Sequence, residues 1–358
     1  MNGFSDRSSI LLGSTKSKRP PIGGLFDLVE GGFEVLQKIC RGRKFKVQTT
    51  IFKASGLPLG EVRIAFGASY TNTLQFLPVC AILKQITTMR QEMKTIGFID
   101  YYMSNWHANN YPVWIKEACA DMNEQYKVAY AWAEQDVSPR DGITTDEWCA
   151  KFGVQRCGTI EELCERSDCI MILAPADADR HLTYAKAAFP FGKPTFVDKT
   201  FAPDLATAKE IFALGQAHRT PFFSTSALRY ATELNDIASP NHLSTWGDGN
   251  NFSVYVIHQI EMIVKVMQSP CIHAKTTKTE TGYDCALSFT NGKTAEIHYS
   301  PKSRFALEAD GRRSPIHSTF HPILIADILR FFETRQCSFD QGEILEAMRI
   351  REMILQNI

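Results

Sequence analysis

The sequence lacks an excess of either charge and lacks any close pairing of cysteines. Among its 358 residues, 39 Lys and Arg balance 39 Asp and Glu, and the pI is about 7.1. A neutral chain gives no reason to expect broad binding to nucleic acid or to an anionic membrane. The ten cysteines include no C-x-x-C pair, which argues against a zinc site or a disulfide scaffold and favours reduced thiols.

The sequence also lacks a long hydrophobic run. No apolar segment reaches the roughly 18 residues that a membrane helix needs. The longest candidate, LQFLPVCAIL at residues 74–83, is shorter and contains Pro78. The first residues, MNGFSDRSS, have neither the basic start nor the apolar stretch of a secretory signal. We therefore predict a cytoplasmic protein with neither a membrane partner nor a nucleic-acid partner.

The overall neutrality hides an asymmetry along the chain. Residues 1–93 carry 13 Lys and Arg against 6 Asp and Glu, whereas residues 94–358 carry 26 against 33. We interpret residues 1–92 as a basic, poorly ordered N-terminal extension, with Met93 as an alternative start before the first clear strand. A small basic interaction module and a packed extra layer remain open. A nucleic-acid-binding regulator that uses this extension is the least favoured alternative.

Short apolar segments alternate with helical ones from residue 94 to residue 224. The predicted strands are TIGFID, YKVAYAWAE, VQRC, DCIMILAP, KPTFVDK and TPFFST, and each gap between them holds an amphipathic or turn-rich segment. Such alternation is typical of right-handed βαβ units and a parallel sheet. The fold class is therefore α/β, and residues 93–224 are predicted to form a Rossmann-type nucleotide-binding domain.

The pattern changes in residues 225–358, which we predict to be an α+β domain with a mainly antiparallel sheet for substrate binding or oligomerisation. SALRYATELNDIA is predicted to be a helix, SPNHLST a short loop and YVIHQIEMIVKVM a second helix. Three strands follow, and Asn291-Gly292 marks a hairpin between the last two. Another strand, FALEAD, precedes a turn, and two helices end the chain. The short SPNHLST connection predicts a reduced sheet and a pocket that is either shallow or completed by a neighbouring subunit.

Ligands of parallel α/β sheets bind at the carboxyl ends of the strands. The residues there are polar: Asp100 begins a loop that continues to His107, Glu134 follows the second strand, and Asp198-Lys199 follows the fifth. A charged side chain that comes directly after a buried parallel strand faces the ligand crevice. These strand ends are therefore the first place to look for a site.

Four motifs stand in order along this part of the chain. They are P-x-x-x-x-x-H at 175–181, G-K-P-x-x-V-D-K at 192–199, L-R-Y at 228–230 and H-Q-I-E at 258–261. The arrangement resembles the Gfo/Idh/MocA family of nicotinamide-dependent oxidoreductases over residues 94–358. The resemblance implies a Rossmann domain, a second domain with an open sheet, and oxidation of a sugar or cyclitol hydroxyl or reduction of the ketone.

The resemblance also implies a catalytic lysine, Lys199, and a catalytic histidine, His258. Physical chemistry supports both, because removal of a hydride from a carbinol carbon requires the hydroxyl proton to leave as well. A histidine can accept that proton, and a neighbouring lysine can stabilise the developing alkoxide. His258 and Glu261 share a helix face, but no third ligand is evident, so no metal site is predicted.

The remaining candidates follow from the same motifs and strand ends. Arg229 and Tyr230 could contact a substrate hydroxyl or form an inter-domain salt bridge. The predicted polar loop 246–250 could line the pocket or merely turn the chain. The cofactor-binding candidates are Asp100, Tyr102, Ser104, Asn105, Glu134, Pro175, His181 and Asp198, and the substrate-binding candidates are Lys199, Arg229, Tyr230, Trp246, Asn250 and His258.

The loop after the first strand departs from the family pattern. It reads DYYMSNWHA and contains no glycine, although G-x-G-x-x-G allows the diphosphate to approach the helix N-terminus. Asp100 is expected to place a negative charge at the diphosphate position and the tyrosines to fill the space. Ser104 and Asn105 can still donate hydrogen bonds and cap the helix. Glu134 is placed to accept a hydrogen bond from a ribose 2′-hydroxyl, which favours NAD over NADP.

We thus predict an NAD(P)-dependent oxidoreductase that acts on a sugar, cyclitol or polyol. The alternative is a non-catalytic descendant that binds a sugar or a protein partner. The glycine-free loop favours the alternative, whereas Lys199 and His258 favour the enzyme. A homo-dimer or higher homo-oligomer through the open sheet is expected, because an uncovered apolar sheet face would otherwise meet water.

Overall fold

The structure is a computed structural model, and it describes residues 46–47, 64–65, 93–122, 124–356 and 358. The chain divides into two units, residues 1–90 and 91–358. In the first unit, residues 46–47 pair with residues 64–65 as a short antiparallel ladder. The rest of the predicted basic extension lies outside the described residues. The described residues from 93 onward belong to the second unit.

Sheet A consists of six parallel strands in the order β3-β2-β1-β4-β5-β6. The order reverses between β1 and β4, and at such a switch point α/β sheets bind their ligands. Nearly every residue of the central strands is buried, which explains why their sequences are apolar without alternation. The strands are β1 Lys94–Asp100, β2 Tyr126–Ala133, β3 Gln155–Arg156, β4 Cys169–Ile172, β5 Thr195–Val197 and β6 Phe222–Ser224.

Five helices connect these strands. A capping box between Thr144 and Glu147 begins α2, because each residue's side chain accepts the other's backbone N–H. Gly97 of β1 allows α3 to approach, since a Cβ at this position would lie 2.4 Å from a Leu163 methyl carbon. The helices are α1 Trp106–Met122, α2 Thr145–Phe152, α3 Ile160–Arg166, α4 His181–Ala188 and α5 Leu205–His218.

Sheet B follows in the order β8-β9-β10-β7-β11-β12. All neighbouring pairs are antiparallel except β10 and β7, so the sheet is mixed and mostly antiparallel. The predicted fold class is therefore confirmed. The strands are β7 His242–Gly247, β8 Cys271–Lys278, β9 Tyr283–Phe289, β10 Thr294–Tyr299, β11 Ala306–Ala309 and β12 Arg312–Pro315.

Four helices accompany sheet B: α6 Phe252–Tyr255, α7 Ile257–Met267, α8 Phe320–Thr334 and α9 Gly342–Leu355. Helix α7 is buried almost all round because it contacts α9 on one side and β7 and β10 on another. Helix α8 returns to sheet A, where it packs against α1. Tyr126 of β2 donates a hydrogen bond to Glu333 of α8, and Lys94 of β1 pairs with the same carboxylate.

The segment that joins the two sheets differs from its prediction. The expected helix at 226–238 is instead two short 3-10 turns, Ala227–Tyr230 and Thr232–Leu234. The predicted SPNHLST loop contains the start of β7, and Trp246 and Gly247 end that strand instead of beginning a loop. The expectation of a reduced sheet was therefore wrong, because β7 supplies a central strand between β10 and β11.

The face of sheet B that points away from α7 and α9 is polar. Trp246 stacks on His298, with ring centroids 4.9 Å apart, and Arg313 lies over the Trp246 ring. His298 also contacts Asp284 and Glu296. The predicted apolar face was wrong, because the outward positions of these strands carry charged and aromatic side chains.

Two predictions about the protein's surroundings, reduced thiols and the lack of a membrane helix, can be compared with the described residues. The eight cysteines within the described residues are free thiols, and seven of them are buried. No helix in this part of the chain is long and apolar enough to cross a membrane. Location in the cytoplasm remains a prediction.

Candidate functional site

A cavity of about 720 Å³ opens at the carboxyl ends of β1, β4 and β5. Its opposite walls come from the segment before α6, from α7, and from the first residues of α8. The volume falls within the range of small-molecule and cofactor sites. The lining residues are Tyr102, Asn105, Trp106, His107, Arg140, Pro175, Ala176, Lys199, Ala227, Leu228, Asn250, Asn251, Val254, Tyr255, His258, Phe305, Phe320 and His321.

Lys199 is the second residue after β5 and lines this cavity. Its Nζ donates a hydrogen bond to the backbone oxygen of Pro175, 3.0 Å away, which fixes the ammonium beneath the end of β4. Burial lowers the pKa of Lys199, whereas the charges of Asp198 and Asp100 act in the opposite direction. A positioned ammonium of this kind can stabilise negative charge that develops on a substrate oxygen.

Asp198, the residue before Lys199, is buried behind the cavity wall. Its Oδ1 accepts the Lys199 amide at 2.9 Å, and its Oδ2 contacts Nδ1 of His107, the second residue of α1. Burial acts to raise the pKa of Asp198, but its interactions with His107 and Lys199 hold it below its ordinary value. An ionised carboxylate therefore sits between an imidazole and an ammonium.

His258 lies near the start of α7 and is half-buried. Its Nδ1 is 2.6 Å from the hydroxyl oxygen of Ser226, the residue that caps the first 3-10 turn. Burial, together with the charges of Lys199 and His107, lowers the pKa of His258 to about 3. The ring is thus neutral near pH 7, and Ser226 fixes its orientation.

Asp100 ends β1, and its carboxylate turns away from the cavity into the protein. Oδ1 accepts the backbone amides of Tyr101 and Ala174, and Oδ2 accepts the side-chain amide of Asn105 at 2.7 Å. Burial raises the pKa of Asp100 to about 8, against these three hydrogen bonds. The expected negative charge in the ligand space is therefore absent among the cavity-lining residues, because the carboxylate instead ties β1 to β4.

Asn105 and Ser104 organise the loop that contains no glycine. Asn105 caps α1 as expected, since its Oδ1 accepts the amide of Ala108 at 3.0 Å. Ser104 is buried and donates to Asp141 at 2.7 Å, and Ser138 donates to the Ser104 carbonyl at 3.1 Å. The loop after β1 is thereby fastened to the loop after β2.

This fastening brings Arg140 to the edge of the cavity. The side chain is exposed and lines the cavity with Tyr102 and Trp106. Arg156 and Arg180 are each paired with a carboxylate, whereas Arg140 is in no ion pair with any residue that the structure describes. A guanidinium in this position can bind an anionic group.

Glu134 and His181 lie near the strand ends but do not line the cavity. The Glu134 carboxylate pairs with Arg180 at 2.8 Å and accepts the Tyr184 hydroxyl at 2.8 Å. The His181 ring is fully buried, and its two nitrogens lie 3.0 Å and 2.8 Å from backbone oxygens of the segments after β5 and β4. His181 therefore joins those segments, and neither nitrogen is free to face a ligand.

Three substrate-binding candidates also lie outside the cavity. Arg229 is buried, stacks over Phe339, and pairs with Glu261 and Glu343. Tyr230 donates to Asp327 of α8 at 2.7 Å, and Trp246 lies on the outer face of sheet B. Arg229 and Tyr230 hold the 3-10 turn against α7, α8 and α9, whereas Trp246 covers sheet B.

The structure therefore brings together part of the predicted set. Among the described residues, no group of His, Cys, Asp and Glu is arranged to hold a metal. The predicted residues that line the cavity are Tyr102, Asn105, Pro175, Lys199, Asn250 and His258.

Sequence reasoning missed several lining residues. His107 and Trp106 stood in the loop at the end of the first strand, so their location there was an available signal. Phe320 and His321 reach the cavity only because α8 packs on α1, where His321 stacks on Trp114 with ring centroids 5.0 Å apart. No local pattern in the sequence indicates that contact.

A parallel sheet in the order β3-β2-β1-β4-β5-β6, followed by a mixed sheet and with a cavity between them, is the two-domain fold of Rossmann-type dehydrogenases. Solved structures of that class match this chain. UDP-N-acetylglucosamine 3-dehydrogenase GnnA from Acidithiobacillus ferrooxidans has a TM-score of 0.57 at 12% identity, covering 74% of this chain and 98% of that chain. An NAD binding oxidoreductase from Klebsiella pneumoniae has the same score and identity and covers 74% and 96%.

A third solved structure, the dehydrogenase MviM from Clostridium difficile, has a TM-score of 0.56 at 13% identity and covers 74% of this chain and 99% of that chain. Among curated proteins, an uncharacterized oxidoreductase, YhhX of Escherichia coli strain K12, is 40% identical over 58 residues. That match spans only 16% of this chain and 17% of that protein. No family model matches the chain. The resemblance to Gfo/Idh/MocA oxidoreductases is thus confirmed at the level of the fold.

Proposed function

We propose that residues 94–358 are an oxidoreductase that transfers a hydride between a nicotinamide cofactor and a hydroxyl or ketone carbon of a sugar, cyclitol or polyol. The observation that carries the proposal is the meeting of Lys199 and His258 in one cavity at the switch point of sheet A. They come from segments far apart in the sequence, so local sequence does not explain their meeting.

The cavity's own groups can perform the proton half of such a reaction. Lys199 donates a hydrogen bond to the reacting oxygen and stabilises its negative charge. A neutral imidazole accepts the hydroxyl proton, and Ser226 holds the His258 ring in place for this role. Aromatic side chains from α8, such as Phe320, exclude water from the reacting carbon. Asn250 and Asn251 offer amide groups to the substrate's other hydroxyls.

The cavity is compatible with a dinucleotide, although its phosphate cradle differs from the family pattern. A nicotinamide cofactor accepts or supplies the hydride. Pro175 and Lys199 would border the nicotinamide, and Arg140 would replace the missing glycine loop as the partner of the diphosphate. Glu134 would accept a hydrogen bond from a ribose 2′-hydroxyl only if it gave up its contact with Arg180 or with Tyr184. This carboxylate favours NAD over NADP.

The alternative is a non-catalytic protein that keeps the fold and binds a sugar or a protein partner. Tyr102 favours it, because its ring lines the cavity where a glycine would leave space for the diphosphate. The two hypotheses differ in one property that can be measured directly, which is binding of the cofactor.

The test is a titration of the full chain with NADH and with NADPH, in which binding is monitored by fluorescence. We expect NADH to bind at micromolar concentration and NADPH more weakly. Arg140→Gln should weaken NADH binding about tenfold by removing a charge-assisted hydrogen bond. Arg156→Gln is the matched control, because Arg156 pairs with Asp136 and Asp146 outside the cavity. Absence of binding by the parent protein would favour the non-catalytic alternative.

A positive titration leads to a turnover assay with NAD and a panel of sugars and polyols. Lys199→Met and His258→Gln should each lower kcat about 100-fold without loss of NADH binding. Glu134→Gln frees Arg180 from its ion pair and should shift preference toward NADPH, because a free guanidinium accommodates a 2′-phosphate. Full activity in Lys199→Met would contradict the proposed role of the lysine.

We further propose a domain boundary between residues 224 and 225 and a homo-dimer of the chain. The polar outer face of sheet B supports a dimer only if its charges are complementary across the interface. Arg313 beside Trp246, with Asp284 and Glu296 nearby, offers both signs for such pairing. Sedimentation of the wild type and of Arg313→Glu would show whether this face joins two copies.

A further inference from the structure

We propose that His107, held by Asp198, is the proton acceptor of the cavity in place of His258 and receives the proton of the substrate hydroxyl. This inference rests on the proposed function. It adds a residue of α1 to a site whose lysine and histidine come from β5 and α7. His107 and Lys199 would then act from the same cavity, with the imidazole held by Asp198 and the ammonium by the Pro175 carbonyl.

The contact between His107 and Asp198 defines which ring nitrogen is available. Nδ1 of His107 touches Oδ2 of Asp198, and neither atom has a partner in hydrogen-bond geometry among the described residues. Because a bare Nδ1 would place its lone pair against the carboxylate, the contact favours a proton on Nδ1. Nε2 then bears the lone pair.

The exposed part of the ring is the part that lines the cavity. The His107 side chain is 13% exposed and Nδ1 is fully buried, so the accessible edge is on the Nε2 side. Tyr111 packs against the ring, with centroids 5.1 Å apart, and Trp106 packs on it at 5.2 Å. The ring therefore has one fixed orientation, which a base needs before the substrate arrives.

Burial favours a neutral ring. Burial and the charge of Lys199 lower the pKa of His107, whereas Asp198 raises it. The other imidazoles that line this cavity are those of His258 and His321, and burial lowers the pKa of both, to about 3 and about 4. The remaining titratable lining residues are Tyr102, Arg140, Lys199 and Tyr255. Of the three imidazoles, only His107 contacts a carboxylate that would stabilise the imidazolium formed when it accepts a proton.

The step balances without a further reactant. The O–H bond of the substrate breaks, an N–H bond forms at Nε2, and the ring becomes an imidazolium paired with the Asp198 carboxylate. The carbinol hydrogen leaves with its electron pair to the nicotinamide cofactor that the proposed function includes. Lys199 stabilises the oxygen during this transfer and keeps its own protons.

The first arm of the test is ¹⁵N NMR of histidine side chains in the full protein, which requires neither cofactor nor turnover. We expect the resonances of His107, identified by their loss in His107→Asn, to show a protonated Nδ1 and an unprotonated Nε2. Asp198→Asn should convert His107 to a mixture of tautomers. A resonance assigned to His107 with Nε2 protonated and Nδ1 bare would overturn the proposal, because Nε2 could then accept nothing.

The second arm measures kcat, KM and their pH dependence with NAD and the best substrate of the panel. His107→Asn preserves a donor toward Asp198 but removes the base, so kcat should fall about 100-fold while KM stays within about threefold. The acidic limb of the wild-type profile should disappear. Wild-type kcat and an unchanged limb in this variant would overturn the proposal.

The two arms separate the two hypotheses. If the parent protein neither binds NADH nor turns over, the proposed function fails and with it the catalytic role of His107. The NMR arm then decides only whether a bare Nε2 faces the cavity. If the parent turns over and only His258→Gln impairs kcat, the proposed function stands and this inference is overturned.

Discussion

The buried carboxylate of Asp100 offers a direct test of how the glycine-free loop is built. If this side chain blocked a diphosphate site, Asp100→Gly would open the site and the protein would gain NADH binding. The structure predicts the opposite, because the carboxylate points into the protein and holds together the ends of β1, β4 and α1. We expect Asp100→Gly to destabilise the fold without improving binding.

The magnitude follows from the hydrogen bonds. Asp100→Gly leaves the buried Ala174 amide without its acceptor and removes one of the two acceptors of the Asn105 side-chain NH₂, which still donates to the Tyr102 carbonyl, at about 1–3 kcal/mol for each lost hydrogen bond. The glycine adds about 0.5–1 kcal/mol of backbone entropy. Asp100→Asn keeps an oxygen for the backbone amides but places its own NH₂ against that of Asn105, so it should cost only about 1–2 kcal/mol.

The assay is urea denaturation of the wild type and both variants, monitored by tryptophan fluorescence. NADH titrations are made in parallel. The predicted order of stability is wild type, then Asp100→Asn, then Asp100→Gly, with Asp100→Gly lower than the wild type by about 3–5 kcal/mol. The reasoning is refuted if Asp100→Gly is as stable as the wild type, or if it acquires NADH binding that the wild type lacks.

Three further outcomes are expected from the same denaturation assay. Arg229→Met should cost about 3–5 kcal/mol, because it leaves the buried Glu261 carboxylate without its cation; Arg229→Lys, which keeps the charge, should cost less. The low pKa of His258, about 3 in the fold, means that the unfolded chain binds a proton first, so this residue should make stability fall as the pH drops below about 6.5, by at most about 1.4 kcal/mol per pH unit. His107, His181 and His321, whose pKa values are also lowered, add to the total slope. His258→Gln should reduce that slope by up to about 1.4 kcal/mol per pH unit, which corresponds to one proton. An unchanged slope would show that other groups cause it. Gly247→Ala should destabilise by about 1–3 kcal/mol, because the new Cβ would lie 2.6 Å from the Gln259 side chain; wild-type stability would mean that Gln259 moves freely.

The sequence predicted sheet A well and its connection to sheet B poorly, for a physical reason. The strands of sheet A are buried on both faces, so each appears as an apolar run between turn signals. Strand β7 reads HLSTWG, and its polar residues resemble a loop. It is a strand because it pairs with β10, where His242 faces Thr294, and with β11. Those partners lie far along the chain, and no local window contains them.

The same distinction applies to the site. Lys199 and Pro175 were predictable because they follow strands closely, and strand ends meet at one edge of a parallel sheet. Arg229 was misleading for the converse reason. It follows a strand end as well, yet Glu261 and Glu343 draw it into a structural ion pair. Whether a polar residue faces ligand or protein depends on partners that only the folded chain supplies.

The contribution of α8 to the cavity has a consequence for how the protein is made. Sheet A is complete in the chain at Ser224, whereas Phe320 and His321 belong to α8. A ribosome-bound chain that has formed sheet A therefore lacks one wall of the ligand site until α8 has emerged and docked on α1. Because synthesis proceeds from the N-terminus, the complete ligand site exists only after α8 has emerged, and ligand binding would stabilise only the finished chain.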